Sequence, residues 1–150
     1  MTNEDFEKLL SLSKKFAQDN VHLPLIGYND VFDIISKETK DKFFLDIDRR
    51  GKIELSKLKI QTRYAVTKLP LVRIDVNSPP HINPDGTKTS RNHIHIYRQT
   101  EYDTGNLPWA YDLEEVFEFP NGMENINFME VFYHFCEYCR IDTYNIQGVM

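Results

Sequence analysis

The sequence predicts an α+β fold, with an antiparallel sheet of about five strands flanked by an N-terminal and a C-terminal helix. Two observations carry this prediction. Hydrophobic residues recur at helical spacing near the two ends of the chain, and between these ends they alternate with polar residues, as in half-buried strands. No internal repeat or linker divides the 150 residues, so we expect a single domain over residues 1–150.

The first helix is predicted over residues 3–19. Thr2 with Asp5 three residues later resembles a capping box, in which each side chain bonds to the backbone of the other residue. Hydrophobic residues then follow at helical spacing, namely Phe6, Leu9, Leu10, Phe16 and Ala17. Pro24 interrupts this pattern, and residues 30–36 fit a short helix or a strand.

A hairpin is predicted next. Residues 43–48 alternate between core-facing and polar positions, and residues 49–52 contain a turn with a glycine suited to a positive φ. The returning strand has hydrophobic residues at Ile53 and Leu55, and then at even-numbered positions from Leu58. Its inward phase therefore shifts by one residue, as a β-bulge or a break into two strands would require.

Two clearer strands, residues 71–77 and 92–97, are separated by a loop dense in turn-forming residues, and we expect them to pair antiparallel. The second strand has the sequence NHIHIY. Because side chains alternate across a strand, its isoleucines enter the core while His93, His95 and Tyr97 project from the opposite face. We expect that face to be left uncovered by the helices, or to form a cleft.

Further polar side chains are predicted on the same face. Arg73 and Asp75 alternate with valine and isoleucine in the first of the two strands, so pairing would place them beside the histidines. His81 lies in the connecting loop and could reach the group, and Arg91 ends that loop. The sequence therefore predicts one cluster of histidine and arginine side chains around this face.

The last helix is predicted over residues 128–139, after a short strand at residues 109–111. Asn127 with a glutamate three residues later resembles a second capping box. Cys136 and Cys139 have the spacing of a redox motif. They lie at the end of a helix among phenylalanines, whereas redox cysteines are activated at a helix N-terminus, so we interpret them as buried thiols.

The amino-acid composition of the chain limits the kinds of partner that we expect it to bind. No hydrophobic run approaches the ~20 residues that cross a bilayer, and the N-terminus lacks the features of a signal peptide, so we expect a cytoplasmic protein without a membrane partner. A net charge of −5 argues against non-specific binding of duplex DNA. Local positive charge would still suit a short RNA or a phosphate group, and Lys88, Arg91 and Arg98 are the candidate nucleic-acid-binding residues.

From the residues alone, three interpretations of the polar face stay open. The first is a metal site, because two histidines at positions i and i+2 of a strand can reach one ion. A third ligand would come from His81, Asp75 or Glu101.

The second interpretation is phosphoryl transfer on RNA without a metal. One of the strand histidines and His81 would exchange protons with the 2′-hydroxyl and the leaving oxygen, because histidine titrates near neutral pH. Arg73 or Arg91 would stabilise charge on phosphorus, and Tyr97 would be an orienting donor. The third interpretation is a recognition surface without chemistry, since aromatic rings and arginines often dominate binding interfaces.

A family resemblance rests on motifs over about residues 70–141. The motifs are RxD at residues 73–75, PHxNPDG at residues 80–86, HxHxY at residues 93–97 and Trp109-Ala110. With the phenylalanine-rich C-terminal helix, they resemble a family of small uncharacterised proteins from phages, prophages and other mobile elements of Gram-positive bacteria. More distantly, the pattern is similar to small toxins of toxin–antitoxin pairs that act on RNA. The resemblance implies a role in host–phage conflict.

The leading interpretation is a small cytoplasmic mobile-element protein that acts on RNA or an RNA–protein complex. As a metal-independent ribonuclease of the toxin type, it would use His81, His93, His95, Tyr97 and Arg73 as catalytic residues, with no metal and no cofactor. The alternative is a non-catalytic phage-encoded inhibitor that binds a bacterial defence protein, as anti-CRISPR proteins do. Its acidic ends would then occupy a basic nucleic-acid channel on that partner.

Overall fold

Strands predominate in the chain, which a computed structural model describes over residues 1–51 and 56–149. The helices are α1 (Asn3–Ser11), α2 (Leu113–Val116) and α3 (Phe128–Tyr138), with a short 3-10 helix at Met123–Asn125. The strands are β1 (Lys14–Phe16), β2 (Val21–Leu23), β3 (Asn29–Ser36), β4 (Lys42–Asp48), β5 (Leu58–Tyr64), β6 (Pro70–Val76), β7 (His93–Ile96), β8 (Ala110–Asp112), β9 (Ile141–Asp142) and β10 (Ile146–Val149).

A main sheet of eight strands runs in the order β8-β7-β6-β5-β4-β3-β1-β9 through the described residues. Its neighbouring strands are antiparallel except for β1 and β9, which are parallel, and β2 and β10 form a separate parallel pair. The predicted α+β class with a mainly antiparallel sheet is confirmed. The predicted number of about five strands is wrong. The predicted order of a sheet between two terminal helices also needs correction, because β9 and β10 follow α3.

The first helix is shorter than the predicted range of 3–19. The capping box is present, because Asp5 N donates to Thr2 Oγ1 at 3.0 Å and Thr2 N donates to the Asp5 carboxylate at 3.4 Å. However, α1 ends at Ser11 and β1 follows, with Phe16 buried in the core. Pairing with β3 and β9 thus overrides the helical spacing of the hydrophobic residues after Ser11.

The hydrophobic core lies on one face of the main sheet, where the strands meet α1 and α3. Leu45, Ile60, Ile74 and Ile94 from four successive strands are buried there with Phe132 of α3. The predicted strand alternations and the C-terminal helix are therefore confirmed, and residues 30–36, which fitted a helix or a strand, belong to β3.

The predicted turn and returning strand lie partly outside the described residues. Lys52, the last residue of the predicted turn, and the predicted strand residues Ile53 and Leu55 are not among them. From Leu58 onwards the prediction is confirmed, because Leu58, Ile60 and Thr62 are buried in β5.

Across the described residues, no helix combines the length and the apolar character that a membrane crossing requires.

Lys14 joins the ends of the two long helices to the sheet. Its side chain is fully buried, and its ammonium donates to the carbonyls of Leu10 at 3.0 Å, Leu12 at 2.9 Å and Cys139 at 2.9 Å. These carbonyls lie at the C-terminal ends of α1 and α3, where the helix itself supplies no donor. Burial lowers the pKa of Lys14 to about 8.

We expect Lys14→Met to lower the free energy of unfolding by about 2–4 kcal/mol, because buried carbonyls lose their donor. Lys15→Met is the control, since it removes the same charge from a neighbouring residue that is partly exposed, and it should change stability by less than about 0.5 kcal/mol. Urea denaturation measures both. Equal losses in the two variants would contradict a role for Lys14 at the helix ends.

The difference between wild type and Lys14→Met should also grow with pH. The pKa of Lys14 is about 8 in the folded state, against an ordinary value of 10.5. Between these two values the unfolded chain binds more protons than the folded chain, so raising the pH stabilises the wild type. The difference in unfolding free energy should increase by up to about 1.4 kcal/mol per pH unit in this range. A difference that shrinks with rising pH would contradict the lowered pKa.

Candidate functional site

The site is built on the pairing of β6 with β7. Their register places Arg73 opposite His95 and Asp75 opposite His93. Because strand side chains alternate, these four side chains share the sheet face opposite to Ile74 and the other core residues. The predicted antiparallel pairing and the predicted grouping of these residues are confirmed.

This sheet face is covered. His93 and His95 are only 2% and 1% exposed, because loop 77–92 and the segment before β8 fold over them. The loop is anchored at the edge of the sheet, where Asn83 Nδ2 donates to the Ala110 carbonyl at 2.9 Å and Ala110 N donates to Asn83 Oδ1 at 2.8 Å. The face is therefore not an open surface of the sheet. It forms a cleft, which is the second of the two predicted arrangements.

Each of the three histidines has one ring nitrogen against a backbone carbonyl. The pairs are His93 Nδ1 with Ser90 at 2.9 Å, His95 Nδ1 with Leu107 at 2.8 Å, and His81 Nε2 with Pro108 at 2.7 Å. A carbonyl oxygen only accepts hydrogen bonds, so these nitrogens carry the proton. In a neutral imidazole the other nitrogen then has a lone pair, which is Nε2 in His93 and His95 and Nδ1 in His81.

Asp75 lies between the two strand histidines and is 4% exposed. Its Oδ2 is 3.1 Å from His95 Nε2 and 3.4 Å from His93 Nε2, and it accepts a hydrogen bond from Arg73 Nε at 3.1 Å. Its Oδ1 is buried without a hydrogen-bond partner in the described part of the chain. Burial raises the pKa of Asp75, but the two adjacent imidazoles and the Arg73 charge together hold that pKa well below its ordinary value.

Arg73 connects this carboxylate to His95. Its Nη2 donates to His95 Nε2 at 3.0 Å while its Nε donates to Asp75. Burial lowers the pKa of His95, and this effect exceeds the opposing effect of the nearby Asp75 carboxylate. The neutral form of His95 is therefore favoured, and its Nε2 accepts from the guanidinium.

Asp75, His93 and His95 are also the residues that could hold a metal ion. One ligand atom from each lies within 4.8 Å of the others. Two imidazole nitrogens and a carboxylate oxygen suit zinc and related divalent ions. Of the three candidates for a third ligand in the sequence, the structure brings Asp75 to the two histidines.

A cleft of about 180 Å³ opens over this cluster, which we call the histidine cleft. Its rim carries Lys57 and Lys59, opposite the loop segment from Ser78 to His81. Lys59 is there because it pairs with Asp75 in the register of β5 and β6. The predicted catalytic and nucleic-acid-binding residues included neither these lysines nor Asp75, although Asp75 was expected on this face and as a candidate metal ligand. The signal was present, since the lysines alternate with the buried Leu58 and Ile60 and so belong to the polar face.

Tyr97 lies outside the histidine cleft, so its predicted role as an orienting donor beside the histidines is wrong. The Tyr97 hydroxyl lies within hydrogen-bond distance of the Met1 carbonyl and of the Asp103 carboxylate, the latter at 2.7 Å, and its ring packs on Phe6 with centroids 5.4 Å apart. The physical reason is that β7 ends at Ile96, so the alternation that aligns His93 with His95 does not extend to Tyr97.

The predicted nucleic-acid-binding residues also lie away from the histidine cleft. Lys88 and Arg98 line a separate cleft of about 410 Å³, in which the Arg98 guanidinium stacks on Trp109 at 3.8 Å and donates to the Tyr111 hydroxyl at 2.9 Å. Arg91 donates to the carbonyl at the start of the covering loop at 3.3 Å. Of the three, only Arg91 was predicted on the face of the histidines, and it is not among the described residues that line the histidine cleft. The role of Lys88, Arg91 and Arg98 in nucleic-acid binding stays a prediction.

Cys136 and Cys139 are free thiols buried in the core, as predicted. Burial raises the pKa of Cys136 and raises that of Cys139 to about 12. Both thiols therefore stay protonated, which disfavours the redox interpretation of their spacing.

Comparison with known proteins gives one match. The model of a family described as a family of unknown function, DUF6978, matches residues 1–141. Neither the curated proteins nor the solved structures contain a match. The predicted origin in a mobile element stays a prediction.

We expect long-range ¹H–¹⁵N NMR spectra at about pH 8 to show His93 and His95 as the Nδ1–H tautomer and His81 as the Nε2–H tautomer. The reason is the carbonyl that faces each of these nitrogens. The exposed His22 is the control and should show the usual solution mixture. A proton on Nε2 in neutral His95 would contradict the described contact with Leu107.

Proposed function

We propose that this chain, which belongs to DUF6978, a family of unknown function, binds RNA and cleaves a phosphodiester bond in the histidine cleft. One observation carries the proposal. Three imidazoles and a guanidinium meet at a cleft whose rim has two further cations, Lys57 and Lys59. Proton-exchanging groups beside positive charge are what phosphoryl transfer requires.

The size and charge of the cleft favour a phosphate group as its occupant. A volume of about 180 Å³ lies below the range of sites that enclose drug-sized ligands, so a base or a whole nucleotide would stay outside. Arg73, Lys57 and Lys59 attract an anion, and the Asp75 charge is already paired with Arg73. A single phosphate of an RNA backbone fits these conditions.

His81 is the best placed base. It is the least buried of the three histidines, and its Nδ1 has the lone pair because Nε2 donates to Pro108. Its ring lies 4.6 Å from that of His95, between centroids, so it borders the floor of the cleft. His95 and His93 are positioning residues in this scheme, since His95 Nε2 accepts from Arg73 and so holds the guanidinium in place.

The reaction would proceed by attack of the neighbouring 2′-hydroxyl. His81 Nδ1 takes the hydroxyl proton as the 2′-oxygen forms a bond to phosphorus. The bond from phosphorus to the 5′-oxygen breaks, and that oxygen takes a proton from the Lys59 ammonium. Water then accepts the proton from His81 and returns one to Lys59, so both residues regain their starting states. Arg73 stabilises the negative charge on the phosphoryl oxygens. The products are a 2′,3′-cyclic phosphate and a free 5′-hydroxyl. The resemblance of the motifs to RNA-directed toxins supports RNA as the substrate.

We expect the wild-type protein to cleave a labelled single-stranded RNA, and His81→Gln to lower the rate about 100-fold or more because the base is removed. His22→Gln is the matched control, since His22 is an exposed histidine on β2, and it should cleave at the wild-type rate. A substrate with one 2′-deoxy nucleotide at the cleaved position should remain intact. Full activity of His81→Gln, or cleavage of the deoxy substrate, would contradict the mechanism.

We expect Lys57→Gln and Lys59→Gln to weaken RNA binding and to reduce its salt dependence. Each lost phosphate contact should lower the slope of log K against log salt by about 0.7 for a single strand. Fluorescence anisotropy with a labelled RNA measures both quantities. Lys88→Gln is the control, because that exposed lysine lines the other cleft. The same loss in Lys88→Gln as in Lys59→Gln would indicate that RNA does not lie across the histidine cleft.

A further inference from the structure

We infer that Asp75, His93 and His95 bind a divalent transition-metal ion of the zinc type. This reverses the expectation of no metal drawn from the sequence. The three side chains come from adjacent strands, are each at most 4% exposed, and offer ligand atoms within 4.8 Å of one another. Two imidazole nitrogens with one carboxylate oxygen form the ligand set of many catalytic metal centres.

The orientation of the rings supports an ion. In metal sites the ligating histidine usually donates its second ring N–H to a carbonyl or carboxylate, which fixes the ring and its tautomer. Here the Nδ1 atoms of His93 and His95 both donate to backbone carbonyls. Their Nε2 lone pairs are therefore directed inward, towards the same carboxylate oxygen of Asp75.

Without a cation, these groups would be poorly satisfied. His95 Nε2 has a donor in Arg73, but with the proton of His93 on Nδ1, the His93 Nε2 lone pair would face the Asp75 carboxylate oxygen in a buried position, where an unpaired acceptor is costly. Moreover, Asp75 Oδ1 has no hydrogen-bond partner among the described residues. This second carboxylate oxygen is an independent sign that the site lacks one component.

Arg73 supplies part of the missing positive charge but not all of it. Its guanidinium donates to Asp75 Oδ2 and to His95 Nε2. Its hydrogen bonds do not include His93, whose Nε2 has the Asp75 carboxylate 3.4 Å away. An ion between the two histidines would take the Nε2 lone pairs of both. Arg73 would then lose its contact with His95 and keep its hydrogen bond to the ligating carboxylate.

Three protein ligands leave coordination positions free, as in catalytic rather than structural zinc sites. The free positions would face the histidine cleft, where Arg73, Lys57 and Lys59 favour an anionic oxygen as a further ligand. A phosphate oxygen of the substrate meets that requirement. This use of the ion in catalysis rests on the proposed function, whereas binding of the ion does not depend on it.

The test is a titration of untagged protein, stripped with a chelator, with Co²⁺ as a spectroscopic probe and Zn²⁺ as the competitor. We expect visible absorption bands from Co²⁺ that saturate at one ion per chain and disappear on addition of Zn²⁺. His93→Ala should weaken binding at least about tenfold, while His22→Ala, the same substitution at an exposed histidine, should bind as the wild type does. Absence of saturable binding, or equal binding by His93→Ala, would overturn the inference.

A second measurement avoids variants that fail to fold. In ¹⁵N NMR spectra of the wild type, Zn²⁺ should shift the Nε2 resonances of His93 and His95 and leave their Nδ1–H protons in place. Unshifted Nε2 resonances would also overturn the inference. Parallel RNA assays with and without chelator separate the two proposals. Ion binding without any RNA cleavage would overturn the proposed function alone, whereas cleavage by a protein that binds no ion would overturn the metal site alone.

Discussion

The pairing of β6 with β7 is the interaction on which the rest of the structure depends. One register aligns Arg73 with His95 and Asp75 with His93 on one face, and it places Ile74 opposite the buried Ile94 on the other. A slip of one residue would exchange the two faces, moving charged and imidazole groups into the core. The hydrophobic core and the polar cluster are therefore specified together, and the energy of burying the isoleucines stabilises the arrangement of the site.

Burial of this polar cluster requires a specific cover. A carboxylate and two imidazoles lose hydration under loop 77–92, which is unfavourable unless their hydrogen bonds are replaced. Backbone carbonyls of the cover supply acceptors for the ring N–H groups, and Arg73 supplies a charge partner for Asp75. The cover itself is anchored to β8 through reciprocal bonds between Asn83 and Ala110. The described site therefore requires the loop to be folded over the sheet.

The two functional proposals concern two parts of the histidine cleft. Asp75, His93 and His95 form its buried floor, and Lys57 and Lys59 lie at its exposed rim. The floor is desolvated and holds two imidazoles beside a carboxylate, which is a ligand set suited to a metal ion. The rim is solvated and carries Lys57 and Lys59, which attract phosphate. His81 lies between the floor and the rim, because loop 77–92, which carries it, lines both parts of the cleft. In the two proposals, the ion would bind at the floor, and the RNA phosphate would enter from the rim.

The sequence by itself determined the α+β class, the alternation of most strands and the C-terminal helix, because these depend on local periodicity. It also determined the grouping of His93, His95, Arg73 and Asp75, because that grouping depends on the pairing of two strands that are close in the sequence. Only the tertiary structure decided the number of strands, the end of α1, the position of Tyr97 and the approach of Lys57 and Lys59. It also decided which carbonyls face the histidines. These features depend on contacts between distant segments, and side-chain spacing along one strand contains no information about which loop will cover it.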